Sequence, residues 1–306
     1  MLWMPGSSYH GPPAQPNGAE LEQTLRAHVV ELADRIGPRH VGAYDGLVAA
    51  EQFIAAQMSA AGYQVAYQEY RSSGRTVRNI EVEIAGSLRA AELLVIGAHY
   101  DSCEDTPAAN DNASGVAALL ELARRFHGKR PLCTLRFVAF VNEEPPHFQT
   151  SQMGSLVYAR RSQERGERIV GMVSLETIGY FSDEPKSQKY PPIVGWLYPS
   201  VGNFIGFVSD TSSRKFLRSF VGAFRAHAKI PSVGAPLPGA IPGVGWSDHW
   251  SFWQAGYPAI MVTDTAPFRY PHYHEPTDTP EKLDYRRMAL VVEGVEQAIE
   301  ELASRP

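Results

Sequence analysis

Hydrophobic positions recur along this chain at two different spacings, and the alternation between them predicts its elements. From Ala19 to Ile36, Leu21, Leu25, Val29 and Leu32 follow the step of an amphipathic helix. A second helix is predicted near Tyr44 to Ala61 and stops at Gly62. Strands follow in YQVAYQEY and in VRNIEVEIAG, where Ile80, Val82 and Ile84 alternate with polar residues. ELLVIGAHYD is short, apolar and unbroken, as in a strand covered on both faces; CTLRFVAFVN and IVGMVSLETIGYF read alike. YPAIMVTDT is a late strand, and IVGWLYP and NFIGFVSD are further apolar runs. Helices are predicted in SGVAALLELARRFHG, in SQMGSLVYARRSQ, near Ser212 to Lys229 and over Asp284 to Leu302.

Strands alternating with helices predict an α/β fold, with a largely parallel sheet covered by helices on both faces. No internal repeat or long linker divides the chain, so residues 19–306 are expected to form one domain. Residues 1–18, rich in Pro and Gly, are expected to form an extended arm. The 306 residues are 44% hydrophobic, enough for a large core. With 28 basic against 33 acidic residues the formal net charge is -5, which argues against nucleic acid or anionic membrane as partner. No apolar run approaches the roughly 18 residues of a membrane helix. The first residues lack the basic opening and apolar segment of a signal peptide, and location stays open between the cytoplasm and export. Cys103 and Cys133 are too few for a disulfide framework or a four-cysteine zinc site and are expected to be free thiols.

The polar residues at strand ends change the picture. His99 and Asp101, Glu143 and Glu144, and Glu176 stand where apolar runs finish, Asp111 lies just before a helix, and His272 and His274 follow the late strand. In open α/β sheets ligands bind outside the carboxyl ends of the strands. Gathered there, the carboxylates repel one another and raise each other's pKa values. Divalent cations are the simplest compensation, and mixed imidazole and carboxylate donors suit Zn²⁺. Taken singly, each feature has an ordinary reading. A His-x-Asp pair can be only a hydrogen bond, two adjacent glutamates a solvated turn, and Asp111 a helix cap. Glu176 stands apart, because Val173, Leu175 and Ile178 make its surroundings apolar. A serine-hydrolase elbow is missing, its nearest imitation being Gly245-Trp-Ser247-Asp-His249 after a Pro/Gly loop, and so is HExxH.

GAHYDS, ANDNASGVAALLELAR, FVNEE, SLETIGY and YHEPTDT occur in the order seen in the co-catalytic di-zinc aminopeptidases. The chain resembles that family, which includes bacterial leucyl aminopeptidases, glutamate carboxypeptidase and the glutaminyl cyclases, over roughly residues 20 to 300. The resemblance implies a three-layer α/β/α sandwich with a central mostly parallel mixed sheet, of zinc-peptidase (phosphorylase/hydrolase-like) architecture. His99 resembles the first zinc's histidine, Asp101 the carboxylate that orients it, and Asp111 the carboxylate bridging both metals, followed by a cis peptide. Glu176 takes the place of the first zinc's acidic ligand, usually Asp. Glu144 and His274 resemble the second zinc's ligands; His274 is preferred to His272 because Asp278 follows it at the family's spacing. Glu143 is then the general base acting on a metal-activated water, and Tyr273 the residue that steadies the oxyanion.

The implied function is a zinc-dependent aminopeptidase removing N-terminal residues from peptides, with two Zn²⁺ per chain, or one if Glu176 fails to ligate. The alternatives are a single-zinc glutaminyl cyclase and an inactive peptidase-like binding domain. Tyr273 before His274, where cyclases typically carry Trp, favours the peptidase. His249 is expected behind the crevice or in a structural role, and Trp246, Trp250, Phe252 and Tyr180 are read as core in preference to a specificity pocket. Oligomeric state and side-chain preference are not legible.

Overall fold

A computed structural model describes Tyr9 and residues 15–16, 19–192 and 194–305. Most of the expected arm over residues 1–18 lies outside the described residues. Eight strands form one sheet: β1 (Ala66–Ser72), β2 (Arg75–Ile84), β3 (Arg89–His99), β4 (Cys133–Phe140), β5 (Arg168–Glu176), β6 (Ile205–Ser209), β7 (Ser232–Pro236) and β8 (Ala259–Thr263). Their order is β1-β2-β4-β3-β5-β8-β6-β7. The four central strands β4, β3, β5 and β8 are mutually parallel, while β2 runs antiparallel to β4 and β6 antiparallel to β8. The sheet is thus mixed and mostly parallel, as expected.

Alternation along the buried strands explains the three layers. On β3, Leu94, Ile96 and Ala98 point into one core, whereas Leu93 and Val95 point into another. The larger core is covered by α1 (Ala19–Val30), α2 (Tyr44–Ala60), α3 (Gly115–Phe126), α5 (Arg214–His227) and α7 (Tyr285–Ala303). The smaller lies under α4 (Gly154–Glu164) and α6 (His249–Gln254), where Tyr158 and Phe252 pack on Phe140. Phe252 is therefore core, as read. The helix predicted to reach Ile36 is α1 followed by a wider turn over Glu31–Ile36. Within the apolar run IVGWLYP, Val194–Trp196 is a single 3-10 turn and the Trp196 ring is exposed.

Chain order places the site. β3 leads through α3 to β4 on one side, and β4 leads through α4 to β5 on the other. β3 is thus a switch point, and a crevice opens where the connections diverge. α3 starts hard against β5: a Cβ on Gly115 would meet the Leu175 carbonyl and the Asn112 side chain, each at 2.4 Å. Only glycine permits that approach.

One buried cation ties the rim together. The Arg39 guanidinium is fully buried and donates to the carbonyls of Tyr100 (2.8 Å), Pro107 (2.7 Å) and Ala108 (2.8 Å), with longer bonds to Leu32 and Gly37. It thereby pins both ends of the loop between β3 and Asp111. Arg39→Met should leave the Tyr100 and Pro107 carbonyls without a donor, whereas Ala108 and Leu32 keep the N–H groups of Ala113 and Gly37, and should cost at least about 2 kcal/mol, at 1–3 kcal/mol for each unsatisfied group. Denaturant unfolding measures this; a loss under about 1 kcal/mol would show that the loop holds itself.

Candidate metal centre

His99 is the last residue of β3, and its register partner on β4 is Phe140. Beyond Phe140 the chain turns through Asn142, at φ 60°, into Glu143 and Glu144. The turn is held from across the crevice. Asp101 accepts the Glu143 N–H on Oδ1 and the Glu144 N–H on Oδ2, both at 3.1 Å. One carboxylate thus grips two consecutive amides, fixing the direction in which each glutamate side chain leaves. Asp101 Oδ1 also lies 3.6 Å from His99 Nδ1.

The loop carrying Asp111 is braced by Asp278. That carboxylate accepts the N–H groups of Asn110 (2.9 Å) and Asp111 (3.1 Å) and the Tyr270 hydroxyl (2.7 Å). Asn112 Oδ1 accepts the N–H groups of Gly115 and Thr177, and its Nδ2 donates to the Leu175 carbonyl. The peptide between Asp111 and Asn112 is cis, as the resemblance implied.

Donor atoms gather around two imidazoles, and Asp111 stands between them. Its Oδ1 is 3.3 Å from His99 Nε2 and its Oδ2 is 3.1 Å from His274 Nε2. Glu176 Oε2 lies 3.2 Å from His99 Nε2, and Glu144 Oε2 3.3 Å from His274 Nε2. Glu143 points to the His99 side, 3.9 Å from Nε2. His99, Asp111 and Glu176 offer donor atoms within 4.8 Å of one another, and so do Cys103, Glu144 and His274. His99 Nε2, His274 Nε2 and Glu144 Oε1 are buried and make no hydrogen bond. Buried polar atoms left this way are costly. A donor set of imidazole and carboxylate in two groups sharing Asp111 fits divalent cations of the Zn²⁺ type.

Electrostatics agree. Burial raises the Glu143 carboxyl well above its ordinary range, with Glu144, Glu176 and Asp248 adding to the rise and His99 opposing it. Burial and the neighbouring Asp111 push Glu144 up to about 7, and burial raises Glu176. Burial opposes protonation of His99, yet Glu176, Glu143 and its contacts with Asp101 and Asp111 carry its pKa well above normal. His274 is raised against burial by Asp111, Cys103 and Glu144. Asp111 is lowered despite burial, held down by His274 and His99.

Other residues fall outside the clusters. The His272 ring pairs with Thr277, and buried His249 bonds the Val244 carbonyl at 2.8 Å, its pKa lowered by burial to about 4. Sequence reasoning missed Cys103, Ser247 and Asp248. Ser247 Oγ donates to Glu176 Oε2 at 2.7 Å, and Asp248, pushed up to about 7 by burial, adds negative potential behind His99 and Glu176. The only signal was their place in the polar knot SDH amid aromatic residues. Tyr273 stacks on His274 with ring centroids 3.9 Å apart.

Glu176 and Tyr273 also border a cavity of about 790 Å³, including its mouth, walled by Val208, Leu237, Met261, Phe268 and Tyr198. Apart from Glu176, no charged residue among the described residues lines it. Trp246, read as core, instead walls this cavity and stacks on Phe268; Tyr180 and Trp250 do not line it.

The chain belongs to peptidase family M28, whose family model matches residues 79–299. It is 38% identical over 301 residues to the uncharacterized protein YfbL of Escherichia coli (strain K12), covering 95% of this chain and 89% of that one. It is also similar to leucine aminopeptidase 1 of Arthroderma otae, 24% identical over 70% of this chain but only 56% of the fungal protein. Among solved structures, the aminopeptidase from Aneurinibacillus sp. strain AM-1 shares the fold with a TM-score of 0.70 at 18% identity, covering 93% of this chain and 94% of the other. Fimbriiglobus ruber glutaminyl cyclase has a TM-score of 0.66 at 21% identity, covering 95% and 99%.

The raised acids dictate a pH response. A carboxyl such as that of Glu144 or Asp248 takes up its proton more readily in the folded chain than in the unfolded one. Stability from such a group is lost as pH climbs from the ordinary carboxyl range through about 7. The raised imidazoles of His99 and His274 act in the same sense: their contribution is full below about pH 6.5 and is lost as pH rises through their folded values. Lowered Asp111 acts oppositely, but only below its ordinary range. Metal-free protein should therefore melt at lower temperature at about pH 8 than at about pH 5.5. Added Zn²⁺, which binds deprotonated ligands, should raise Tm more at the higher pH. Melting curves with and without chelator check this; a zinc increment that shrinks with rising pH contradicts it.

Proposed function

We propose that this chain is a zinc-dependent aminopeptidase that removes apolar residues from peptide N-termini. The observation that carries the reading is the position of Asp111, one oxygen facing each of two donor clusters, with Glu143 beside one of them. Members of peptidase family M28 are metallohydrolases, which gives the reading its chemical class. On this reading His99, Asp111 and Glu176 would hold one zinc ion, and Asp111, Glu144 and His274 the other. Bound there, the ions would supply Lewis acidity, polarising the scissile carbonyl and making a water acidic near neutral pH.

The remaining roles belong to side chains of this chain. Glu143 takes the proton of the attacking water and returns it to the leaving amine, work worth about 10²–10⁴-fold in rate. Its burial, which favours the protonated form, suits a base that must hold a proton between the two steps. Tyr273 stays protonated, because burial and the surrounding carboxylates Asp111 and Glu144 raise its phenol well above the ordinary value. It can therefore donate a hydrogen bond to the oxygen on which charge develops. Asp101 positions both His99 and the glutamate turn. The apolar cavity bordered by Glu176 and Tyr273 would receive the side chain of the N-terminal residue.

Purified protein should hold about two zinc ions, cleave aminoacyl-anilides and release no ammonia from glutaminyl peptides; one zinc with ammonia release would make it a cyclase. Glu143→Gln should keep the metal but lower kcat by at least about 10². Near-normal turnover would remove Glu143 from the mechanism. Trp246→Ala should raise KM for leucyl- or phenylalanyl-anilide by about tenfold relative to alanyl-anilide, the scale of lost contacts in an apolar pocket. An unchanged ratio would show that the cavity does not set preference.

A further inference from the structure

The second donor cluster holds a residue that the proposed ligand set leaves unused. Cys103 sits two residues beyond Asp101 on the loop that Arg39 pins, where Arg39 N–H donates to Ser102 Oγ at 3.0 Å and Ser102 N–H to the Arg39 carbonyl at 3.1 Å. Thr106 closes the turn, its hydroxyl donating to the Cys103 carbonyl at 2.8 Å. The Cys103 backbone is thus fixed, and its half-buried thiol faces the crevice. Its sulfur, a ring nitrogen of His274 and a carboxylate oxygen of Glu144 all lie within 4.8 Å of one another. A separate observation points to a ligand at this place: Glu144 is only 3% exposed, yet its Oε1 has no hydrogen-bond partner, and neither has His274 Nε2.

We propose that Cys103 is the fourth protein ligand of the metal ion held by Asp111, Glu144 and His274, an inference that rests on the dinuclear reading above. On coordination the S–H proton leaves to solvent and a sulfur–metal bond forms, with no change of oxidation state. Three oxygen and nitrogen donors plus one thiolate would give that ion four side-chain ligands, the number that holds zinc in closed sites. The soft sulfur biases this position toward Zn²⁺ or Co²⁺ and against Mg²⁺ or Mn²⁺, which the oxygen-rich remainder would accept. The two positions then differ in kind. The position near Cys103 would be satisfied by side chains alone, whereas the His99 cluster has no sulfur and faces Glu143.

Cobalt substitution tests the assignment. Metal-free protein titrated with Co²⁺ should develop thiolate-to-cobalt charge-transfer absorption in the near ultraviolet. The band should be retained in Cys133→Ala, whose thiol is buried elsewhere, and lost in Cys103→Ser and Cys103→Ala. Zinc should protect the Cys103 thiol from iodoacetamide in the wild-type protein. The zinc at this position should dissociate at least about tenfold more readily from the Cys103 variants than from the wild-type protein, since even partners behind the ligands are worth that much. Metal-free melting temperatures of the variants, compared with wild type, show that they fold. Two bound cobalt ions without the band, with alkylation equally fast in zinc, would eliminate Cys103 and leave the dinuclear reading standing. Failure of the wild-type protein to bind metal would overturn both.

Discussion

The structure is organised around a concentration of negative charge that the fold cannot tolerate alone. Asp111, Glu143, Glu144 and Glu176 are all nearly inaccessible to water and converge on two imidazoles. In the isolated chain the charge is compensated by driving protons onto carboxyls and holding His99 and His274 charged, which is why so many pKa values move together. A buried cluster that borrows protons in this way has the chemistry to accept divalent cations in their place. The remainder of the fold can be understood as the means of holding that cluster together against its own repulsion.

The means are backbone hydrogen bonds to side chains from distant parts of the chain. Asp101 clasps the amides of Glu143 and Glu144, Asp278 those of Asn110 and Asp111, and Asn112 ties its loop to the end of β5. Arg39 adds a cation whose bonds are all to carbonyl groups, so its charge offsets the cluster without displacing any donor from it. A positive group that paired directly with Asp111 or Glu144 would occupy the place a metal needs. These braces hold the acidic side chains in place through their backbones, and such preorganisation lowers the cost of ordering a ligand set.

What was legible in the sequence was whatever one short segment determines. The unbroken apolar runs of β3, β4, β5 and β8 identified a buried parallel sheet. Polar residues at their carboxyl ends then had to share one edge, because parallel strands finish on the same side. What remained illegible depends on which loops meet. The clasp of Asp101 on the Glu143 turn joins residues about forty positions apart, and nothing in GAHYDS announces it. Cys103 looked like an idle thiol because its partner His274 arrives from the far end of the chain. Trp246 looked like core because an aromatic residue in an apolar neighbourhood carries the same signature whether it fills space or lines it.

Glu176 is the position where length matters most, since the family resemblance leads one to expect the shorter Asp. An extra methylene adds a rotatable bond and allows the carboxylate to swing out of reach of His99. The fold restrains it with serines. Ser247 Oγ donates to Glu176 Oε2, and Ser174, two residues earlier on the same strand face, lies 2.9 Å from Ser247 Oγ. Residues i and i+2 of a strand share a face, so Ser174 and Glu176 approach Ser247 together and the chain of hydroxyls fixes the rotamer. The carboxylate oxygen so held is the same Oε2 that lies 3.2 Å from His99 Nε2. Carboxylate oxygens have two lone-pair directions each, so a serine donor on one leaves the other facing the crevice. The longer acid is thus held against His99 because its neighbours remove the freedom its length would have given it.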